Sequence, residues 1–550
     1  MRRAAVYGWG VVAPKSPDIE AFARNLESSD NWLEPFHGFG PDNFLVGKPA
    51  FDFSAYEPWI VERFKPNRFS QLSSKMGLPI QYAIGSFLQA LGQNEGMEEE
   101  LQRLGQRAHI CVGTGLGDLE VQSQQALALA RAQRRWDHFW SLPERNSARR
   151  AFEAGDVLEP GDLHGAPPVD SEAVPPRPDG ATAVERDELE NAWWGYWAAH
   201  SPELHQYLAE QREVETVAVE GDVESGKISA MKDKQRRLRR LQRSWGAPEP
   251  PWLAVSPNLL WNIDNIAASQ ISMLGQITGA TFAVGAACAT FGVILKLALD
   301  AIRRDEADAV VIGATDPPPH ALTVGGFYAA RVISADARLS KPLTQLRGTH
   351  VAGGSVVWIV GARDYFEPRG FKPLGLEPVS VAVTSDADHI ITPSQEGPTA
   401  AIQTALAEAR RGAAEPAASE AGEAAAGTIA SWDLHATATP GDYNEVEMVR
   451  SLLPESVLMT ARKGTFGHGM SAGGGWELTA QYLGYERGEL FPTPLQKEEL
   501  NGEIGGLHGR FVYDSSCAPS PGDAGKLSMG VGGVNACVIS RPLAELPEDD

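Results

Sequence analysis

Cysteine is scarce, with four in 550 residues (Cys111, Cys288, Cys517 and Cys537) and no C-x-x-C pair, so neither a zinc cluster nor a disulfide framework is written into the chain. A membrane-length apolar run is missing as well. The opening Met1-Arg2-Arg3-Ala4 leads into a strand without a signal-peptide core or cleavage site, from which a cytoplasmic location is expected. Basic residues are outnumbered, 48 against 71 acidic ones, for a formal net charge of −23. That deficit points to a soluble protein and away from nucleic acid or an anionic membrane as the main partner. The length exceeds one ordinary core, so two core units, or one duplicated unit with an insertion, are expected.

What the chain does have is one cysteine in a telling position. Cys288 lies in GAACATFG, where the β-leaning stretch Thr278 to Val284 gives way to Ala289 to Arg303, apolar nearly all round and readable as a buried helix. A thiol in the first turn of a helix faces unpaired backbone N–H groups and the positive end of the dipole, which favour thiolate. A buried structural cysteine fits this window equally well.

The remaining elements follow in order. Ala4 to Val12 reads as a buried strand, Ile19 to Leu26 as a helix, Ser70 to Leu91 as one long helix, and His109 to Thr114 as a strand ending in Gly115-Leu116-Gly117. Ahead of the long helix, Arg63, Lys65 and Arg68 form a basic group, either a solvated face or a docking spot for an acidic partner. From 118 to 251 the texture changes. Leu119 to Trp140, Val184 to Ala199 and a segment after the Ser201-Pro202 cap read as helices around a proline-rich loop, 157 to 182. Met231, Leu238, Leu241 and Trp245 then form an apolar stripe flanked by arginine and lysine, on an amphipathic surface helix or a docking helix. The block reads as a largely helical, tryptophan-rich insertion. Beyond Cys288, strands at Ala307 to Asp316, Val351 to Val360, Val379 to Val383, Thr428 to Leu434, Val457 to Ala461, Gly509 to Tyr513 and Val534 to Ser540 alternate with helices at Gly397 to Arg411, Tyr443 to Leu453 and Met470 to Tyr485. An Ala/Glu/Gly-rich link, Gly412 to Gly427, is expected to be mobile. Alternating βα units of this kind make an α/β fold of stacked sheets covered by helices, and both halves carry the same order.

Two histidines, His435 and His468, stand at strand-to-helix transitions, where α/β folds gather functional groups; each alone reads first as a hydrogen-bonded structural residue. Together with Cys288 and the glycine-rich close Met529 to Asn535, however, they resemble the β-ketoacyl-acyl carrier protein synthases of the elongating type, in the thiolase superfamily. The family's Thr-Ala-Cys-Ala-Ser is matched by Ala286-Ala287-Cys288-Ala289-Thr290, and its His-Gly-Thr-x-Thr-Pro by His435-Ala436-Thr437-Ala438-Thr439-Pro440. Lys-x-x-x-Gly-His is matched by Lys463, Gly467 and His468, and Gly-Phe-Gly-Gly-Thr-Asn by Gly530 to Asn535. The resemblance implies duplicated βαβαβαββ halves stacked as five layers (αβαβα). The first half would be residues 1–362 with the insertion 118–251 inside it, the second 363–540, with an acidic tail at 541–550.

The resemblance also implies a chemistry: decarboxylative Claisen condensation of an acyl group held on Cys288 with malonyl delivered on an acyl carrier protein, in fatty acid or polyketide synthesis. His435 and His468 would hold the enolate, Lys463 would hold His468 in register, and backbone N–H groups of Cys288 and Val531 would form the oxyanion hole. Thr437, Thr439, Gly530 and Gly532 would line the pantetheine arm, and Arg63, Lys65 and Arg68 would dock the carrier. No bound cofactor or metal is implied; substrates would arrive on the carrier's phosphopantetheine. A dimer, of like or unlike chains, is implied too. The segment Ser340 to Ser355 departs from the family by lacking its acidic residues, and Val531 stands where the family has an aromatic acyl gate. An acyltransferase, a thioester hydrolase, a malonyl decarboxylase or a non-condensing partner subunit therefore remains an alternative use of the same fold.

Overall fold

A computed structural model describes residues 2–40, 43–179, 182–216, 218, 223–390, 394–413 and 428–544. The chain divides into two compact units, Met1–Glu120 with Leu260–Asp550, and Val121–Leu259.

The larger unit is built on two five-stranded sheets. The first uses β1 (Ala4–Val12), β4 (Ala108–Gly113), β5 (Thr281–Phe282), β6 (Ala309–Asp316) and β7 (Gly354–Ala362), in the order β5-β4-β6-β7-β1. A short ribbon, β2 (Glu34–Pro35) with β3 (Leu45–Val46), stands apart from it. The second sheet uses β8 (Leu376–Ser385), β9 (Ile429–Asp433), β10 (Leu458–Thr460), β11 (Asp523–Gly530) and β12 (Val534–Pro542), in the order β10-β9-β11-β12-β8. Number the strands within each half and both sheets read third, second, fourth, fifth, first. The pairings match as well: β4 is parallel to β5 and β6 as β9 is to β10 and β11, while β7 runs antiparallel to both its neighbours, as β12 does. Identical order and polarity make this a duplicated, thiolase-like α/β fold.

Five helices explain the layers: α1 (Leu78–Leu91), α2 (Thr290–Arg303), α3 (Glu396–Ala413), α4 (Gly441–Leu452) and α5 (Met470–Arg487). Helices α2 and α5 pack on each other between the sheets, so both are apolar almost all round, and one core runs through Phe291, Ile294 and Leu295 of α2, Trp476, Leu478 and Tyr482 of α5, and Trp358 and Val538 of the sheets. The outer faces have separate cores: Ile84, Phe87 and Leu88 of α1 against β1, β6 and β7, and Ile402, Ala405 and Val449 of α3 and α4 against Ile539, Leu527 and Trp432. Close approach explains some of the glycines. A Cβ at Gly475 would lie 2.4 Å from Val356 and 2.8 Å from Phe291.

Several expectations are corrected. Ser70 to Leu91 is two helices, Asn67–Lys75 and α1, because Gly77 is extended and Pro79 sits in the first turn of the second, where proline starts a helix rather than continues one. Gly509 to Tyr513 supplies only a bridge from Phe511 to Met459, and the stretch Thr278 to Val284 pairs over two residues. Strand β11, the centre of the second sheet, was not anticipated. The Gly412 to Gly427 link lies outside the described residues from 414 onward, as does 545–550 of the expected acidic tail.

The second unit is helical: Ser147–Ala154, Ala183–Ala199, Pro202–Glu215 and Val223–Trp245 follow most of Leu119–Ser141. Ser201 caps its helix by accepting the Leu204 N–H at 3.2 Å. Trp136, Trp140, Leu204 and Tyr207 form its core, with Trp140 ring-packed on Tyr207 at 5.5 Å and Trp245 at 5.9 Å. Along Val223–Trp245, Leu241 and Trp245 join this core, whereas Met231 is 54% exposed.

Candidate active site

Cys288 sits in a single 3₁₀ turn, Ala287–Ala289, that feeds α2. Ala287 adopts φ of +47°, a left-handed conformation costly for a residue with a Cβ, so the turn is held by its surroundings. Thr290 does part of this, donating its hydroxyl to Ala287 O at 2.7 Å and accepting the Ala286 N–H at 2.8 Å. Gly530, the end of β11, presses on the same turn: a Cβ there would stand 2.7 Å from Ala286 O. The backbone N–H groups of Val531 and of Cys288 itself both favour the anionic form of the sulfur. Val531 is 46% exposed.

Two structures of chain bring the histidines in. His435 follows β9, and His468 immediately precedes α5. The rings meet edge to face with centroids 5.5 Å apart, and both are buried. The start of α5 ties them to the cysteine: a Cβ at Gly473 would lie 3.8 Å from His468 Nδ1, and one at Gly474 would lie 3.8 Å from Cys288 O. One helix end thus lies against both groups. Backbone bonds hold the second ring, with the His468 N–H on His350 O at 2.6 Å and the Ala352 N–H on His468 O at 2.8 Å.

Charge around His435 is organised differently from the expectation. Lys463 was expected to steady His468, yet it bonds His435: its Nζ donates to His435 O and stands 3.5 Å from Nδ1. Its carboxylate partner is Glu477 on α5, at 2.7 Å, and the other oxygen of Glu477 is 2.8 Å from Lys526 on β11. Lys526 is also 3.6 Å from Asp433, which Arg462 approaches at 3.3 Å. All five are essentially inaccessible. Glu445 accepts the N–H groups of His435 and Ala436 at 2.6 and 2.8 Å, and Asp442 accepts those of Thr437 and Leu343 at 2.8 and 2.9 Å. The acid-poor segment Ser340 to Ser355 is therefore anchored by a carboxylate from the start of α4. Asp316, at the end of β6, accepts the Gly115 and Leu116 N–H groups at 2.9 Å each and the Ser471 N–H at 2.7 Å, binding the Gly115 strand end to α5.

Protonation follows from burial. Burial pushes the Cys288 thiol up to about 11, offset in part by Lys463 and by the two N–H groups. Burial thus outweighs the helix start and the N–H groups that favour thiolate at this position. Burial, then Lys463, holds both imidazoles neutral, His468 down to about 3 and His435 well below its ordinary value.

The peripheral candidates are mixed. Thr437 and Thr439 are half-buried beside His435 and share a hydroxyl bond of 3.0 Å; Gly532 is exposed with φ of +95°. Of the basic group, Arg63 is engaged by Glu98 at 2.9 Å and Glu62 at 2.7 Å, and Arg68 by Gln270 at 2.9 Å, while Lys65 is exposed. Sequence reasoning passed over Glu477, Lys526, Asp433, Arg462, Glu445 and Asp316. A lone Glu in the otherwise apolar GGGWELTA was a usable signal for the first.

The chain matches the family descriptions "Beta-ketoacyl synthase, N-terminal domain" over residues 230–361 and "Beta-ketoacyl synthase, C-terminal domain" over 377–495. It is 27% identical over 241 residues to 3-oxoacyl-[acyl-carrier-protein] synthase 2 of Staphylococcus aureus, a match covering 42% of this chain and 56% of that one. The chain thus spans little more than half the length of such curated relatives. Among solved structures it superposes on the ishigamide ketosynthase/chain length factor with a TM-score of 0.64 at 16% identity, covering 99% of this chain and 100% of that one. A type II PKS acyl-carrier protein in complex with its ketosynthase bound to the hexaketide gives 0.59, also at 16%, covering 98% and 100%.

Proposed function

We propose, from the β-ketoacyl synthase matches over residues 230–361 and 377–495, that this chain joins a Cys288-bound acyl group to a malonyl unit carried on acyl carrier protein. The observation that carries the reading is the pair of neutral, buried imidazoles meeting at 5.5 Å beside the Cys288 turn. Cys288 takes the acyl group from the carrier thioester; the sulfur–carbonyl bond forms, the pantetheine thiol leaves with the proton, and the N–H groups of Cys288 and Val531 receive the tetrahedral oxyanion. Malonyl carrier protein then places its thioester oxygen between His435 and His468. As the carboxylate departs as carbon dioxide, its electron pair becomes an enolate, and N–H donors from two neutral rings stabilise it. The enolate carbon attacks the Cys288 thioester, the carbon–sulfur bond breaks, and the β-ketoacyl chain remains on the carrier. Thr437 and Thr439 serve the pantetheine arm.

A second reading uses the same cysteine without condensation, as an acyltransferase, hydrolase, malonyl decarboxylase or partner subunit. Two observations favour it: the absence of acidic residues in Ser340 to Ser355, and a thiol that burial pushes up to about 11. Mass spectrometry of the protein with acyl carrier protein and then malonyl carrier protein separates these. Condensation predicts a loaded Cys288 and a carrier-bound product two carbons longer; loading followed by free acid favours hydrolysis, and carbon dioxide without elongation favours decarboxylation.

A further inference from the structure

The buried charge around His435 includes Lys526, a cation that the reading above does not use. We propose that Lys526 is a positioning residue for His435: together with Lys463 it clamps two successive carbonyls, Leu434 O and His435 O, through a single shared carboxylate, Glu477. This rests on the reading of His435 as a donor to the enolate.

Lys526 lies on β11, between β9 and β12, and its Nζ donates to Leu434 O at 3.3 Å and Leu527 O at 2.6 Å. Lys463 takes the next carbonyl along, His435 O. Glu477 joins the two ammoniums at 2.7 and 2.8 Å, one per oxygen. The backbone of His435 is thereby fixed on both sides, its N–H by Glu445 and its carbonyl edge by two lysines, leaving the ring to meet His468 in one orientation. Burying a second ammonium is unfavourable unless it is fully paired, and Lys526 is paired by Glu477 and the two carbonyls. The charged groups acting on the two rings are Lys463 of the segment after β10, Lys526 of β11 and Glu477 of α5; Asp433 of β9 and Arg462 pair with that set, and Glu445 of α4 binds the backbone of His435. Of the charges around His435, Lys463 and then Lys526 oppose protonation of its ring, adding to its burial.

The experiment is histidine-ring NMR on the full chain without substrate, comparing wild type, Lys526→Met and Lys526→Arg, with His435 assigned by His435→Asn. In the wild type the His435 ring should not titrate above pH 5. Removing the lysine should raise its midpoint measurably, because Lys526 adds to burial and Lys463 in holding the ring neutral, and Lys526→Arg should restore it. Turnover should then show a lower kcat at unchanged KM, with the acid limb moved up. An unchanged midpoint in Lys526→Met overturns the proposal. If that variant does not fold, the wild type still decides: a neutral Lys526 amine in the lysine Nζ spectrum at pH 7 overturns it, and a protonated one on slow-exchanging carbonyl bonds upholds it. Because the titration needs no substrate, its result stands apart from whether the chain condenses.

Discussion

Glu477→Gln is the substitution that tests the organisation of the site most severely. The side chain is 1% exposed, with one oxygen 2.7 Å from Lys463 and the other 2.8 Å from Lys526. Glutamine keeps the shape but withdraws the charge and aims an amide N–H₂ at an ammonium. Removing one member of a buried ionic cluster typically costs about 3–5 kcal/mol, because the partner charges stay buried without compensation. At about 2 °C per kcal/mol, the low end of the range for mid-sized domains, Tm should fall by about 6–10 °C. The assay is a thermal melt followed by far-UV circular dichroism at pH 7, repeated toward pH 4. The two lysines hold the Glu477 carboxyl below its ordinary value, so its contribution is complete above the carboxylate range and is lost as pH falls through the depressed folded value. The gap between wild type and variant should therefore close on the acid side. A Tm within 1 °C of wild type at pH 7 would refute the claim that the lysines depend on this carboxylate.

Three further outcomes follow from the geometry. With the Cys288 thiol pushed up to about 11, only on the order of one molecule in a thousand is thiolate at pH 8. Iodoacetamide labelling of Cys288, read by peptide mass spectrometry, should accelerate about tenfold per pH unit from 7 to 10, and a plateau below pH 8 would contradict this. Gly530→Ala would set a Cβ 2.7 Å from Ala286 O; such overpacking against backbone typically costs about 1–3 kcal/mol, so acyl loading should slow, and loading at the wild-type rate would show the turn to be pliable. The unit Val121–Leu259 has its own core around Trp136, Trp140 and Tyr207. Expressed alone, it should melt cooperatively by tryptophan fluorescence, and a non-cooperative drift would show that its core needs the rest of the chain.

The strands of the second half were readable where β-branched and aromatic residues run together, as in Ile429–Asp433 or Val534–Pro542. Strand β11 was not, because DAGKLSMG is short of such residues and holds a lysine; burial on both faces and pairing with two strands override its weak preference. Cys288, His435 and His468 were legible because each ends or begins an element and each sits in a motif. Their supporting charges were not: Lys463 turned out to serve His435, and Glu477 and Lys526 approach from elements 14 or more residues away in sequence. Only tertiary packing brings such partners together, and no local pattern encodes it. The helical break at Gly77 could have been seen, since Pro79 two residues later marks a start. Likewise the acid-poor Ser340 to Ser355 segment hid its anchor, since Asp442 belongs to another helix.

The central claim is that one sulfur and two neutral imidazoles form a condensing centre. Incubating wild type and Cys288→Ala with an acyl carrier protein thioester and then malonyl carrier protein, and weighing both protein and carrier, tests it most directly. The account predicts acyl mass on wild-type Cys288, followed by a carrier-bound product two carbons longer, with neither in the variant. A two-carbon extension that persists in Cys288→Ala, or a wild type that no acyl donor loads, would contradict it.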